Sequence, residues 1–425
     1  MAELAILFGA FVAILLLGAP VALAMALSVG LHAALFGMPP VVVVQSFMQG
    51  LDNTAFTAIP YFFLTGAIMN AGGISARLLR LARALLAHFR GGMSHANIGA
   101  SVVFAGVSGS AVADAAAVGS VMIPAMRREG YGAPYAAAVT AASATIGLVI
   151  PPSIPLVLFG LFAGADIGAL FLAGIVPGLL MGAVLLAASA LLSRARGYPA
   201  APWAGWREVG AALRASALAL LLPVIVVAGL TMGFATAAEI GAVAAVYAAA
   251  VSALVYREAS ARDLWRALRE AAADSAKVLI IVAISGAFVW IVAAGGAARE
   301  AAAAVEASGL SGRTLLGLVA VLLLLLGTVL EPVTLLVVVV PVLVPAMVGG
   351  GVDLVQMGVV SVLAAAIGLV TPPVGVLLFI TAAQAEARAQ AVIRESLPFL
   401  AALVALLAAV VAFPALTLTL PGLLR

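Results

Sequence analysis

Ser108 and Ser110 flank Gly109 in a segment, Gly106 to Asp114, that reads Gly-Val-Ser-Gly-Ser-Ala-Val-Ala-Asp. Two hydroxyls and a carboxylate offer oxygen ligands, and the small residues between them let a ligand or another backbone come close. Asp114 is the only Asp, Glu, Lys or Arg in the run 91–126. A lone carboxylate in an apolar stretch is costly and marks an ion or substrate path by default. The same residues also fit a helix cap at Asp114 or a Ser/Gly packing face between helices. Glu331, followed by Pro332, stands between the apolar runs Leu315–Leu330 and Val333–Val344, and Glu239 is a second acid of the same half. Asp166, before Ile167 and Gly168, reads as a helix cap or loop residue.

Enzyme chemistry fails on particulars. Gly106-Val107-Ser108-Gly109 matches the Gly-x-Ser-Gly of intramembrane serine proteases, whose nucleophile needs a base, there a histidine on a later helix. His32, His88 and His95 all precede it. No Walker A lysine motif is present. With no cysteine and three scattered histidines, neither a structural zinc nor a haem site is expected. We therefore expect no catalytic residue and no cofactor.

The elements that would position these groups are repeated. Residues 146–152 read Ile-Gly-Leu-Val-Ile-Pro-Pro, and residues 367–373 read Ile-Gly-Leu-Val-Thr-Pro-Pro, an offset of 221 positions. At that offset Pro124-Ala125-Met126 falls on Pro345-Ala346-Met347, Gly106 on Gly327 and Ser110 on Glu331. Pro-Pro inside the uncharged runs 132–165 and 354–385 cannot be regular helix, because proline lacks an amide donor and disfavours helix before it. The freed carbonyls need partners, either a bound cation or neighbouring side chains around a plain kink. Repeated halves with paired breaks suggest a transporter with a site at the repeat interface. Arg77, Arg80, Arg83 and Arg90 in the first half, and Arg262, Arg266, Arg269 and Lys277 in the second, punctuate amphipathic stretches. These read as helices in the headgroup interface or as soluble loop helices.

Composition sets the class. Of 425 residues, 65% are hydrophobic and 9% charged, and the mean hydropathy is +1.28. Soluble domains carry about 25% charged residues. Residues 132–165, 167–193, 278–298, 354–385 and 396–424 carry no Asp, Glu, Lys or Arg, and each exceeds the roughly 20 residues a membrane helix needs. Strand-like alternation is absent, so the fold class is an all-α polytopic membrane protein. The N-terminal apolar stretch lacks a basic lead and reads as a retained helix. The net charge of +3 comes from scattered arginines, as cytoplasmic loops require, and not from a nucleic-acid surface.

The chain resembles the large membrane subunit of tripartite ATP-independent periplasmic (TRAP) transporters over nearly its whole length. The resemblance is carried by Ile59-Pro60-Tyr61-Phe62-Phe63, Met69 to Ile74, Arg90-Gly91-Gly92, and Phe104 to Asp114. It continues through Glu129-Gly130-Tyr131, Ala141 to Gly147, Pro151-Pro152-Ser153, Leu330-Glu331-Pro332 and Thr371-Pro372-Pro373-Val374-Gly375. It implies an elevator-type sodium symporter for small organic acids, built from two inverted repeats with re-entrant hairpins and broken helices. On this sequence the first membrane repeat is 1–200, with a hairpin near 97–124 and a broken helix near 135–165. A polar connection follows at 201–214. The second repeat is 215–425, with a hairpin near 314–345 and a broken helix near 356–382. Hairpin tips fall at Ser108–Ser110 and Glu331. Sodium sites are implied at Ser108, Ser110, Asp114, Thr145, Gly147 and Pro151, and at Glu331, Gly368, Thr371, Pro372 and Gly375. Substrate contacts are implied at Ser108, Gly109, Ser153 and Pro373.

The resemblance also implies two partners, a separate small four-helix membrane subunit and a periplasmic substrate-binding protein, and a multi-pass place in the bacterial inner membrane. Sodium is the coupling ion. This sequence departs from the family at Leu148, where proline is usual, at Ala237 and Ala238, where Pro-Thr is common, and at Ala364, where asparagine is frequent. The last two changes remove oxygen ligands or helix breaks. With no arginine in these segments, recognition of a carboxylate is expected to fall to backbone amides and helix N-termini. The competing readings are a one-component organic-anion symporter and a passive channel.

Overall fold

The computed structural model describes residues 2–424, the side chains of Ala2, Ser75, Val107, Ser108 and Ala298 excepted. All regular structure among the described residues is helical. Six of these helices are long and apolar enough to cross a membrane: Ile167–Arg196, Trp206–Thr231, Ala237–Val255, Ala261–Ala294, Pro332–Gly349 and Ala389–Ala412. A seventh span arises if the bent pair Thr54–Ala71 and Ala76–Leu86 is one crossing. Asp166 caps the first of the six, its carboxylate accepting from the Ala169 amide at 2.7 Å, and left-handed Gly197 ends it. The non-helical connection is therefore 197–205, because the next helix starts at Trp206.

Two helical hairpins come next in importance. Gly92–Ser108 and Ala111–Arg128 pack on each other across the two-residue turn Gly109-Ser110. Gly109 has φ +61°, a left-handed conformation that glycine adopts without penalty. Ser110 caps the second arm, its Oγ accepting from the Ala113 amide at 3.4 Å. The second hairpin joins Gly312–Gly327 to Pro332–Gly349. Glu331 sits at its N-cap, followed by proline in the first turn, where a missing amide costs nothing. The hairpins thus run beyond the expected 97–124 and 314–345 at both ends.

Both expected broken helices are broken. Ala133–Ala144 tightens into a 3-10 turn, Thr145–Leu148, and resumes as Ile154–Ala163. Leu354–Gly368 resumes as Val376–Gln384. The bonds Pro151–Pro152 and Pro372–Pro373 are both cis. Element ends recur at the offset of the sequence repeat. Arg128 and Gly349 close the second hairpin arms, and left-handed Gly130 (φ +88°) and Gly351 (φ +73°) follow them.

The halves interlock. The second arm of the first hairpin packs on Val376–Gln384, with Gln384 lying against Gly119 and donating to the Ala116 carbonyl at 3.3 Å. The second arm of the other hairpin packs on Ile154–Ala163. Each hairpin therefore packs on both broken helices, its own half's and the opposite half's.

Arg262, Arg266, Arg269 and Lys277, read from the sequence as an interfacial or a soluble loop helix, are not a separate element. They belong to a single continuous helix, Ala261–Ala294, started by a Ser260–Asp263 capping box. At 1.5 Å per residue its 34 residues extend about 50 Å, so the basic end continues into a spanning segment. The element that pairs with the short amphipathic helix Ile74–Leu86 is Ala297–Ser308. The former packs on Gly92–Ser108, and the latter on Pro332–Gly349.

Candidate functional site

The two hairpin tips and the two helix breaks meet around one cavity of about 540 Å³. Gly109 and Ser110 line it from the first hairpin, and Glu331 and Pro332 from the second. Leu148 and Ile154 come from the first break, and Leu369 and Val376 from the second. The remaining wall is the long helix, through Asp274, Lys277, Val278 and Ile281, with Phe63 beside it.

The tips are held to the breaks by backbone. A Cβ on Gly109 would stand 2.8 Å from the Pro152 carbonyl oxygen. In the second half, a Cβ on Gly368 would stand 2.5 Å from the carbonyl carbon of Gly327. The Gly375 amide donates to the Thr328 carbonyl at 3.3 Å, and the carbonyl oxygens of Thr371 and Leu369 lie 3.1 and 3.4 Å from where a Gly375 Cβ would be. Gly375 thus sits against two carbonyl oxygens and the Leu378 Cδ1 methyl, which lies 3.0 Å from the same point, with its amide bound to a third oxygen; the Leu369 oxygen also accepts from the Leu377 amide at 3.1 Å. Thr371 Oγ1 donates to the Ile367 carbonyl at 2.7 Å, which spends its proton and leaves lone pairs for a second contact. This donor set suits a hard monovalent cation, which takes oxygen ligands to replace its hydration. No cluster of three or more His, Cys, Asp or Glu side chains suited to a metal occurs among the described residues.

Of the residues singled out in the sequence, Gly109, Ser110 and Glu331 reach the cavity wall. Asp114 is fully buried one turn into the second arm of its hairpin. Thr145, Gly147 and Pro151 are buried within the first break, with Thr145 Oγ1 donating to the Ala142 carbonyl at 2.6 Å. Gly368 and Gly375 are buried in the second break, where Thr371 and Pro372 are half-buried. Ser153 is buried as the cap of Ile154–Ala163. Its hydroxyl donates to the Leu148 carbonyl and accepts from the Leu156 amide. Pro373 is exposed and lies outside the cavity wall. Ser108 falls outside the described side chains. Glu239 closes a capping box with Thr236 at the start of Ala237–Ala250. That accounts for its carboxylate without a ligand.

Sequence reasoning missed Asp274 and Lys277. Lys277 Nζ donates to Asp274 Oδ1 at 2.7 Å, and both line the cavity. The cavity wall therefore contains a cation, supplied by the long helix and not by the arginine-free tip and break segments. The signal lay in the spacing: Lys277 follows Arg269 by two turns and opens directly onto the uncharged run 278–298.

The cavity is continued outwards. A side chamber of about 130 Å³ shares Phe63, Ser110, Ala113 and Asp274 with it. That chamber shares Asn70 and Phe104 with a wide cleft of about 910 Å³. Arg80, Arg83 and His88 line the cleft, and Arg80 is paired with Glu208 at 2.7 Å. The three cavities thus adjoin in sequence from the hairpin tips towards Ile74–Leu86.

Comparison with known proteins is decisive for the family. Residues 8–416 match the family described as tripartite ATP-independent periplasmic transporter, DctM component. The chain belongs to this family. A sialic acid TRAP transporter large permease protein from Vibrio cholerae is 38% identical over 89% of this chain and 89% of its own length. A C4-dicarboxylate TRAP transporter large permease protein from Pseudomonas aeruginosa is 36% identical over 87% of each chain. The YdaH transporter of Alcanivorax borkumensis, a solved structure, has a TM-score of 0.65 with 16% identity over 87% of this chain and 86% of its own. That likeness is one of fold. As a TRAP large permease, the chain is a multi-pass inner-membrane transport protein and not an enzyme. Family membership implies a small membrane subunit and a periplasmic binding protein as its companions.

Proposed function

We propose that this TRAP permease carries a small organic acid through the cavity between its hairpin tips, with sodium as the coupling ion. The observation that carries the reading is the convergence of both tips and both breaks on one cavity, with Glu331 in its wall and carbonyl oxygens gathered at Gly375. The relatives' names, sialic acid and C4-dicarboxylate, support the substrate class. On this reading Ser110, Glu331, Thr371 and the carbonyls freed at Pro151 and Pro372 supply oxygen to the cation, while Asp114 backs the first tip. A Glu331→Gln variant should need on the order of tenfold more sodium for half-maximal uptake, the worth of one charge-assisted contact. Uptake driven fully by a proton gradient without sodium overturns the assignment.

The 1–200 and 215–425 halves are further proposed to be inverted repeats, with re-entrant hairpins that move as an elevator. Support comes from the shared offset of helix ends and from the matching way each hairpin packs on both broken helices. Arg128 and Gly349 are exposed equivalent positions with ordinary helical backbone, unlike left-handed Gly130 and Gly351. In this cysteine-free chain, Arg128→Cys and Gly349→Cys should react with an impermeant thiol reagent from opposite membrane faces. Labelling of both from one face rejects inversion.

A further inference from the structure

The cavity wall holds two carboxylates, Asp274 and Glu331, and one cation, Lys277. A cavity with that charge balance repels an organic anion unless the cation is made available to it. Glu331 belongs to the proposed cation region at the second tip. Lys277 lies on the other element, the long helix, where its ammonium is taken up by Asp274 one turn earlier.

This pair is built to be exchanged. The side chains of Lys277 and Asp274 are 74% and 48% exposed. An ion pair that exposed is weak, worth less than about a fivefold factor. Lysine carries its charge on a flexible four-carbon stem with three donors, and the bond to Asp274 uses one of them. Next to the pair, Val278 and Ile281 present an apolar wall, with Phe63 nearby. That arrangement suits a molecule with a carboxylate at one end and carbon behind it.

We propose that Lys277 is the receptor for the substrate's carboxylate, and that Asp274 is an internal competitor which holds the ammonium until a substrate carboxylate displaces it. The proposal rests on the organic-acid reading of the cavity. It puts the recognition of charge on the long helix and the recognition of the coupling ion on the hairpin tips. It also predicts opposite signs for the two partners. Removing Lys277 removes the receptor, whereas removing the charge of Asp274 removes the competitor. A pair that only supports the helix would respond to both losses in the same direction.

The test is binding of free carboxylates to the purified permease with its small subunit, in detergent and saturating sodium. It is read as the concentration dependence of thermal stabilisation with succinate and with sialic acid as probes. Wild type should be stabilised by at least one of them. Lys277→Gln should weaken that binding by tenfold or more, Lys277→Arg should stay within about threefold of wild type, and Asp274→Asn should bind several-fold more tightly. Lys277→Gln binding as wild type does, or Asp274→Asn losing binding as Lys277→Gln does, overturns the role of the pair while leaving the organic-acid reading intact. Wild type stabilised by neither carboxylate overturns that reading and the inference with it. If Lys277→Gln does not fold, the sign of the Asp274→Asn effect decides.

Discussion

A single methyl group at position 368 should cost this permease most of its transport. Gly368 closes the first half of the second broken helix, and its Cα faces the backbone of Gly327 at the end of the hairpin arm. A Cβ there would lie 2.5 Å from the Gly327 carbonyl carbon and 2.7 Å from both its Cα and its oxygen. All three are backbone atoms, so no rotamer relieves the contact, and the hairpin must move away from the break. Overpacking of this kind costs about 1–3 kcal/mol. The hairpin end that would move is also the one whose Thr328 carbonyl accepts from the Gly375 amide. The oxygen arrangement at Gly375 is therefore spoiled along with the packing. Gly368→Ala should lower protein-normalised uptake by about fivefold to a hundredfold, the kinetic equivalent of that energy. Gly109→Ala should behave alike in the first half, with a left-handed backbone adding to its clash with the Pro152 carbonyl. Gly349→Ala, where a Cβ meets nothing within 4 Å, should be silent. Uptake by Gly368→Ala within twofold of wild type shows that tip and break need not touch.

These contacts also explain which parts of the molecule were legible in the sequence. Pro151-Pro152 and Pro372-Pro373 announce the breaks because proline acts on its own backbone, whatever surrounds it. Gly109-Ser110 announces the first tip for a similar reason: a left-handed glycine followed by a capping serine is local chemistry. The 221-residue offset then carries the second half along, including the equivalence of Ser110 and Glu331 as the residues that open the second hairpin arms. What stayed hidden was the choice of partners. The offset pairs Gly327 with Gly106, but its contact with Gly368 shows only in the fold. The engagement of the Ser153 hydroxyl by Leu148 and Leu156 is likewise invisible in the sequence. Lys277 was hidden by its neighbours, since Arg262, Arg266 and Arg269 made the stretch read as an interfacial or a soluble loop helix. The helix instead continues unbroken to Ala294, and that continuity brings Lys277 to the cavity. The departures at Ala237 and Ala364 have a plain local account. Ala237 opens a helix that Thr236 and Glu239 already cap, and Ala364 is fully buried in regular helix before the second break.

The largest effect expected of this protein is its silence when its companions are absent. Purified permease with its small subunit, placed in liposomes with free organic acid outside and an inward sodium gradient, should accumulate almost nothing. Adding the liganded periplasmic binding protein should start uptake. The cavity's one cation is already partnered at 2.7 Å by Asp274, a contact that lowers the affinity for a free carboxylate by up to about fivefold. With no second cation among the residues of the wall, a free carboxylate at micromolar concentration is held weakly. Weak binding is what a permease needs in order to let its cargo go, but it leaves selection and capture to another component. A binding protein docked at the entrance supplies both, because it raises the local substrate concentration far above that in bulk. The same reasoning predicts that high free substrate should partly bypass the binding protein, and that Asp274→Asn should lower the concentration at which this happens. Full-rate accumulation of dilute free substrate by the 425-residue chain alone contradicts the tripartite reading, and a one-component symporter then takes its place.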